Sequence, residues 1–94
     1  MGYAAKIVLQ LPLSSPERLP SFVESCLRDG VALIAIVGEG CGDIEEMIDG
    51  LIVGDGLDRS RLIVTSSHEG ETVEEVVQFA EIFDAEGIVE LVKL

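Results

Sequence analysis

Basic residues, cysteine, histidine and long apolar runs are all scarce in this 94-residue chain. Six Lys and Arg stand against 18 Asp and Glu, a formal charge of -12. Phosphate backbones and anionic lipid surfaces are recognised by displacing counterions with Lys and Arg, so neither nucleic acid nor membrane is an expected partner. The two cysteines, Cys26 and Cys41, form neither a disulfide framework nor a zinc-ligand spacing, which fits a reducing compartment. No apolar stretch reaches the roughly 18 to 20 residues that span a bilayer, and no cleavage-site pattern follows Lys6. The expectation is a cytoplasmic protein.

What the chain does have is apolar content, 48% of its residues. A chain of this size buries roughly 60 to 65% of its unfolded surface, enough for one core, so residues 1–94 read as a single domain. Lys6 to Leu11 is a β-branched and aliphatic run that stops at Pro12, a strand pattern. Ser15-Pro16-Glu17 opens a short turn, and a helix follows from about Pro20 to Asp29, with Leu19, Phe22, Val23, Cys26 and Leu27 on its inner face and Gly30 at its end. Val31 to Val37 has no polar residue, as a strand covered on both faces requires. Asp43 and Glu46 then read as a capping box for a second helix ending at Gly54, Arg61 to Thr65 as a third strand, and Thr72 with Glu75 as a second capping box. Val73, Val76, Val77, Ala80 and Phe83 form the core stripe of the helix that follows, and Phe79 and Ile82 project away from it. Ile88 to Leu94 closes the series as an edge strand.

The alternation β-α-β-α-β-α-β predicts a three-layer α/β sandwich, Rossmann-like or flavodoxin-like, on a four-stranded, mostly parallel sheet. Strand orders 2-1-3-4 and 3-2-1-4 both fit. In such sheets ligands bind beyond the carboxyl ends of the strands, which selects Ser14, Ser15, Gly38, Glu39, Gly40, Asp43, Ser66, Ser67 and Glu69 as ligand-binding candidates. The sharpest pair is Cys41, before a helix N-terminus, with His68, the one histidine. In contact they would form a nucleophile and its base, and only order 3-2-1-4 lets their loops meet. Glu39 and Asp43 oppose a thiolate at Cys41. They also oppose an anion at the Gly38-x-Gly40-x-Gly42 loop, whose spacing matches no phosphate motif. Glu39, Asp43, His68, Glu69 and Glu71 contain carboxylates and an imidazole but no metal-ligand spacing, so no metal and no cofactor is expected. Ser66 and Ser67 beside His68 suggest a hydrolase, yet no G-x-S-x-G elbow and no third partner are evident.

The segments Val53-Gly54-Asp55-Gly56, Thr65-Ser66-Ser67-His68 and Glu74 to Glu81 resemble a family of small bacterial α/β proteins of unknown function. That resemblance implies a compact α/β domain, carries over no catalytic residue, and groups Asp55 with His68 in one local pattern. Since no reaction motif is complete, the leading expectation is a non-catalytic binding or interaction protein, acting as a homodimer and taking a partner protein or small ligand. The alternatives are a small enzyme built on Cys41 and His68, and an acidic mimic that occupies a basic partner.

Overall fold

The computed structural model describes residues 2–58, 60–83 and 86–94. Its elements are β1 (Lys6–Gln10), a single 3-10 turn (Pro16–Arg18), α1 (Leu19–Arg28), β2 (Leu33–Val37), α2 (Cys41–Val53), β3 (Val64–His68), α3 (Val73–Ile82) and β4 (Val89–Val92). The strands form one parallel sheet in the order β3-β2-β1-β4. Of the two orders compatible with the sequence this is 3-2-1-4, which places β2 beside β3.

Alternating side chains divide the sheet into two faces. Ile7 and Leu9 of β1 with Ile34 and Ile36 of β2 meet Phe22, Val23 and Cys26 of α1 and Ile48 and Ile52 of α2. Val8, Leu33, Ala35 and Val37 point the other way, onto Val76 and Ala80 of α3. The result is the three-layer arrangement, with α1 and α2 on one side and α3 on the other. All five residues of β2 are buried, as its unbroken apolar run requires, and β4 is an edge strand.

The second strand starts at Leu33 instead of Val31 and the fourth covers only Val89–Val92 of the expected Ile88 to Leu94, and two further boundaries depart from the sequence expectation. Helix α2 begins at Cys41, with Gly40 as its N-cap at φ 81° and no side-chain cap, so Asp43 lies inside the first turn and the Asp43–Glu46 capping box does not form. Strand β3 covers Val64 to His68, three residues later than Arg61 to Thr65. Arg61 is drawn away from the sheet: its guanidinium donates to the Ile52 and Leu51 carbonyls at the end of α2 (2.8 and 2.9 Å) and to both oxygens of Glu24 on α1 (3.1 and 2.6 Å). Cationic donors suit the unpaired carbonyls of a helix C-terminus, so Arg61 ties α2 to α1 and the sheet ladder starts after it. At the other end of β2, Gly38 has φ 122°, and a Cβ there would lie 2.9 Å from Leu11 Cβ, so only glycine fits.

Candidate functional site

The carboxyl end of β3 carries a hydrogen-bonded relay. Ser66, His68 and Val64 pair with Ala35, Val37 and Leu33, so all three face the α3 side. Ser66 Oγ lies 2.8 Å from His68 Nε2, and His68 Nδ1 lies 2.9 Å from Glu71 Oε2. A carboxylate only accepts, so in the neutral tautomer that satisfies both contacts Nδ1 carries the proton and Nε2 accepts from the Ser66 hydroxyl. Gly70, at φ 78°, turns the chain so that Glu71 comes back to the ring. The ring is 8% exposed and packs on Phe79 with centroids 4.6 Å apart. Phe79 therefore turns inward, contrary to its outward sequence assignment, because His68 and Phe83 supply partners at the margin of α3. Ile82 is 84% exposed, as expected.

The backbone beside Ser66 is open. The Val64 N–H donates to the Ala32 carbonyl at 3.0 Å, so in this parallel ladder the N–H groups of Val64, Ser66 and His68 point toward β2. Those of Thr65 and Ser67 point out of the sheet along its free edge. On the opposite face the Thr65 hydroxyl contacts Glu45 and Asp49 of α2 (3.0 and 2.6 Å).

Cys41 and His68 occupy opposite layers. Cys41 is 1% exposed among the α1 and α2 core residues, whereas His68 packs on Phe79 beneath α3. Adjacent strands bring their loops close, but the first turn of α2 directs the thiol inward. Cys26 is also buried, and desolvation, with Asp29 and Glu90 adding to it, pushes its thiol up to about 12.

The remaining strand-end loops are largely self-satisfied. Ser14 and Ser15 donate their N–H groups to the Leu94 carbonyl (2.5 and 3.3 Å). In the glycine loop, the Cys41 N–H bonds the Gly38 carbonyl, and the Asp43 and Ile44 N–H groups bond that of Gly40. A cavity of about 400 Å³ opens beside this loop, lined by Leu11, Pro12, Leu13, Ile44 and Met47 with Glu39, Gly40 and Asp43 at hand. Ser67 and Glu69 are exposed. Among the described residues no group of three or more His, Cys, Asp or Glu is disposed to hold a metal ion, and no helix is long and apolar enough to cross a membrane.

A family model described as Domain of unknown function (DUF7684) matches residues 4–94. The chain belongs to this family. No curated protein and no solved structure matches it. In this DUF7684 chain, of the three segments behind the sequence resemblance, Glu74 to Glu81 lies in α3 and the other two fall at different ends of β3. Asp55 sits in the turn after α2 and accepts from the Leu57 N–H at 3.0 Å, before the strand begins, while His68 ends the strand. Sequence reasoning missed Glu71 as the third member of the relay. The available signal was its three-residue spacing from His68 across a glycine.

Proposed function

We propose that this DUF7684 domain is a cytoplasmic interaction protein that works as a homodimer, with β4 as the seam. The observation that carries this reading is the unguarded edge of β4. Natural edge strands are blunted by outward charges. The one charged residue of β4, Glu90, instead accepts from the Ala4 N–H at 2.9 Å. At that edge Ile88 and Leu91 are 76% and 48% exposed. Antiparallel pairing of two β4 strands would continue the sheet through a two-fold, self-complementary contact and cover these aliphatic side chains. Free, buried cysteines accord with a reducing cytoplasm.

Each copy carries -12, so repulsion opposes the pairing and salt should strengthen it. Sedimentation equilibrium at rising salt tests the reading. A dimer that tightens with salt and dissociates in the Ile88→Lys/Leu91→Lys variant, with the circular dichroism unchanged, is the expected result. A monomer at every salt and protein concentration, or a dimer indifferent to those substitutions, overturns it.

A second reading is favoured by the apolar cavity beside Glu39 and Asp43, which suits a small apolar amine. Amide shifts confined to the Gly38 to Met47 segment on titrating short alkylamines would support it, and unperturbed spectra would end it.

A further inference from the structure

We infer that Ser66 is an activated nucleophile that takes acyl groups from small uncharged or cationic esters, with His68 as its base and Glu71 as the residue that positions the base. A serine hydroxyl is a weak nucleophile until an oriented base removes its proton. Here Nε2 meets the hydroxyl at 2.8 Å and Nδ1 meets a carboxylate at 2.9 Å, the two contacts that role requires. Burial under Phe79 holds the ring in that plane.

Access and charge stabilisation come from the edge position of β3. Ser66 is half-buried, and Val64, two residues earlier on the same face, is 46% exposed, giving an apolar seat beside the hydroxyl. The N–H of Ser67, directly after the nucleophile, points out of the sheet with no ladder partner among the described residues, a position from which it can meet an oxyanion. Glu71 on the His68 ring and the exposed Glu69 next to His68 in the chain make the surroundings acidic and disfavour anionic substrates.

In the acylation step Ser66 Oγ bonds the ester carbonyl carbon, its proton passes to His68 Nε2, and the carbonyl π pair moves onto oxygen. When that pair returns, the bond to the alcohol oxygen breaks and the leaving alkoxide takes the proton from Nε2. Water then attacks the acyl carbon, giving a proton to Nε2, and Ser66 leaves as its hydroxyl by recovering that proton. One ester and one water yield one alcohol and one carboxylic acid.

The test is labelling of the folded chain with an alkyl fluorophosphonate, the modified serine being mapped by peptide mass, alongside hydrolysis of p-nitrophenyl acetate. Label is expected on Ser66 and not on the exposed Ser14 or Ser67, and both readouts should vanish in Ser66→Ala. His68 is buried and its removal disturbs packing, so the base is tested through Glu71→Gln on the exposed loop. That variant, with its circular dichroism unchanged, should lower the labelling rate about 100-fold and alter its pH profile. A Ser66 that reacts no faster than in the urea-unfolded chain, or equally fast in Glu71→Gln, overturns the inference.

Discussion

The face of the sheet under α1 and α2 and the face under α3 are built from the same four strands, yet two helices cover the first and one covers the second. Four strands about 4.8 Å apart span about 14 Å, while one helix with its side chains is about 10 Å wide. A single helix therefore seals the two central strands and leaves the margins open. Val8, Leu33, Ala35 and Val37 beneath α3 are at most 2% exposed, whereas Val64 on β3 and Leu91 on β4, facing the same side, are 46% and 48% exposed. The two features on which the proposals rest lie at these margins, the serine–histidine–glutamate relay on one and the apolar edge on the other.

The largest expected effect separates sealed positions from open ones. Ile34→Ala, at 0% exposure between α1 and α2, should cost about 2 to 5 kcal/mol by urea denaturation. Leu91→Ala should cost less than about 1 kcal/mol, because half of its surface is already in water. A Leu91 variant as damaging as the Ile34 one would mean that a second subunit covers that margin in solution, which would sharpen the dimer proposal.

How far each face was legible in the sequence follows the same division. The apolar run Val31 to Val37, the opening turn at Ser15-Pro16 and the Thr72–Glu75 box are local signals, and the chain realises the last two and, over Leu33 to Val37, the first. Strand β3 was misplaced because its exposed edge position removes the alternation that marks half-buried strands, and Thr-Ser-Ser-His carries no apolar period. Its true start depends on Arg61 binding the end of α2 and Glu24, contacts that no local pattern announces. The relay was half legible: Ser66 and His68 share a face by their two-residue spacing, but the return of Glu71 depends on the turn at Gly70. The Cys41–His68 pairing fails because neighbouring loops do not guarantee neighbouring side chains, and a shift of three residues in the N-cap of α2, from Asp43 to Gly40, sends the thiol into the opposite layer.

A smaller effect distinguishes how the helices on the two faces begin. Thr72 accepts from the Glu75 N–H at 3.1 Å and Glu75 accepts from the Thr72 N–H at 2.9 Å, so Thr72→Ala should destabilise the chain by about 1 kcal/mol. Asp43→Ala on α2 should cost less, about 0.5 kcal/mol, since Asp43 caps no N–H there and acts only through the helix dipole. Thermal denaturation of both variants checks the ranking, and a larger loss at Asp43 would restore the capping box that the fold lacks.

Acid titration gives a smaller difference again and belongs to the sealed face. The Arg61 guanidinium holds the Glu24 carboxyl below its usual 4.5. The Tyr3 backbone N–H, with help from Arg28, holds the Asp29 carboxyl below its usual 3.8. Both groups bind protons more weakly when folded, so their contribution is complete above about pH 4.5 and is lost as pH falls through the lower folded values. In Arg61→Ala the Glu24 share disappears, and the urea midpoint should fall less steeply with pH below about 4.5 than in the parent chain. An unchanged slope would mean that the contact between Arg61 and Glu24 is not maintained in solution.

The smallest expected effect is the absence of a reaction, and it tests whether the face under α1 and α2 is closed. Cys26 and Cys41 are at most 1% exposed within that layer, and desolvation pushes the Cys26 thiol up to about 12. Thiolate is the species that attacks iodoacetamide, so burial suppresses the reaction at Cys26 both by exclusion and by keeping it protonated, and at Cys41 by exclusion. At neutral pH the folded chain should therefore remain unalkylated over times in which a model thiol reacts fully, and should gain two labels in urea. Alkylation of folded Cys41 would place an opening at the start of α2 and return that thiol to consideration as a nucleophile. Protection of both thiols, with Ser66 reactive to fluorophosphonate, would confine the chemistry to the face that α3 leaves half covered.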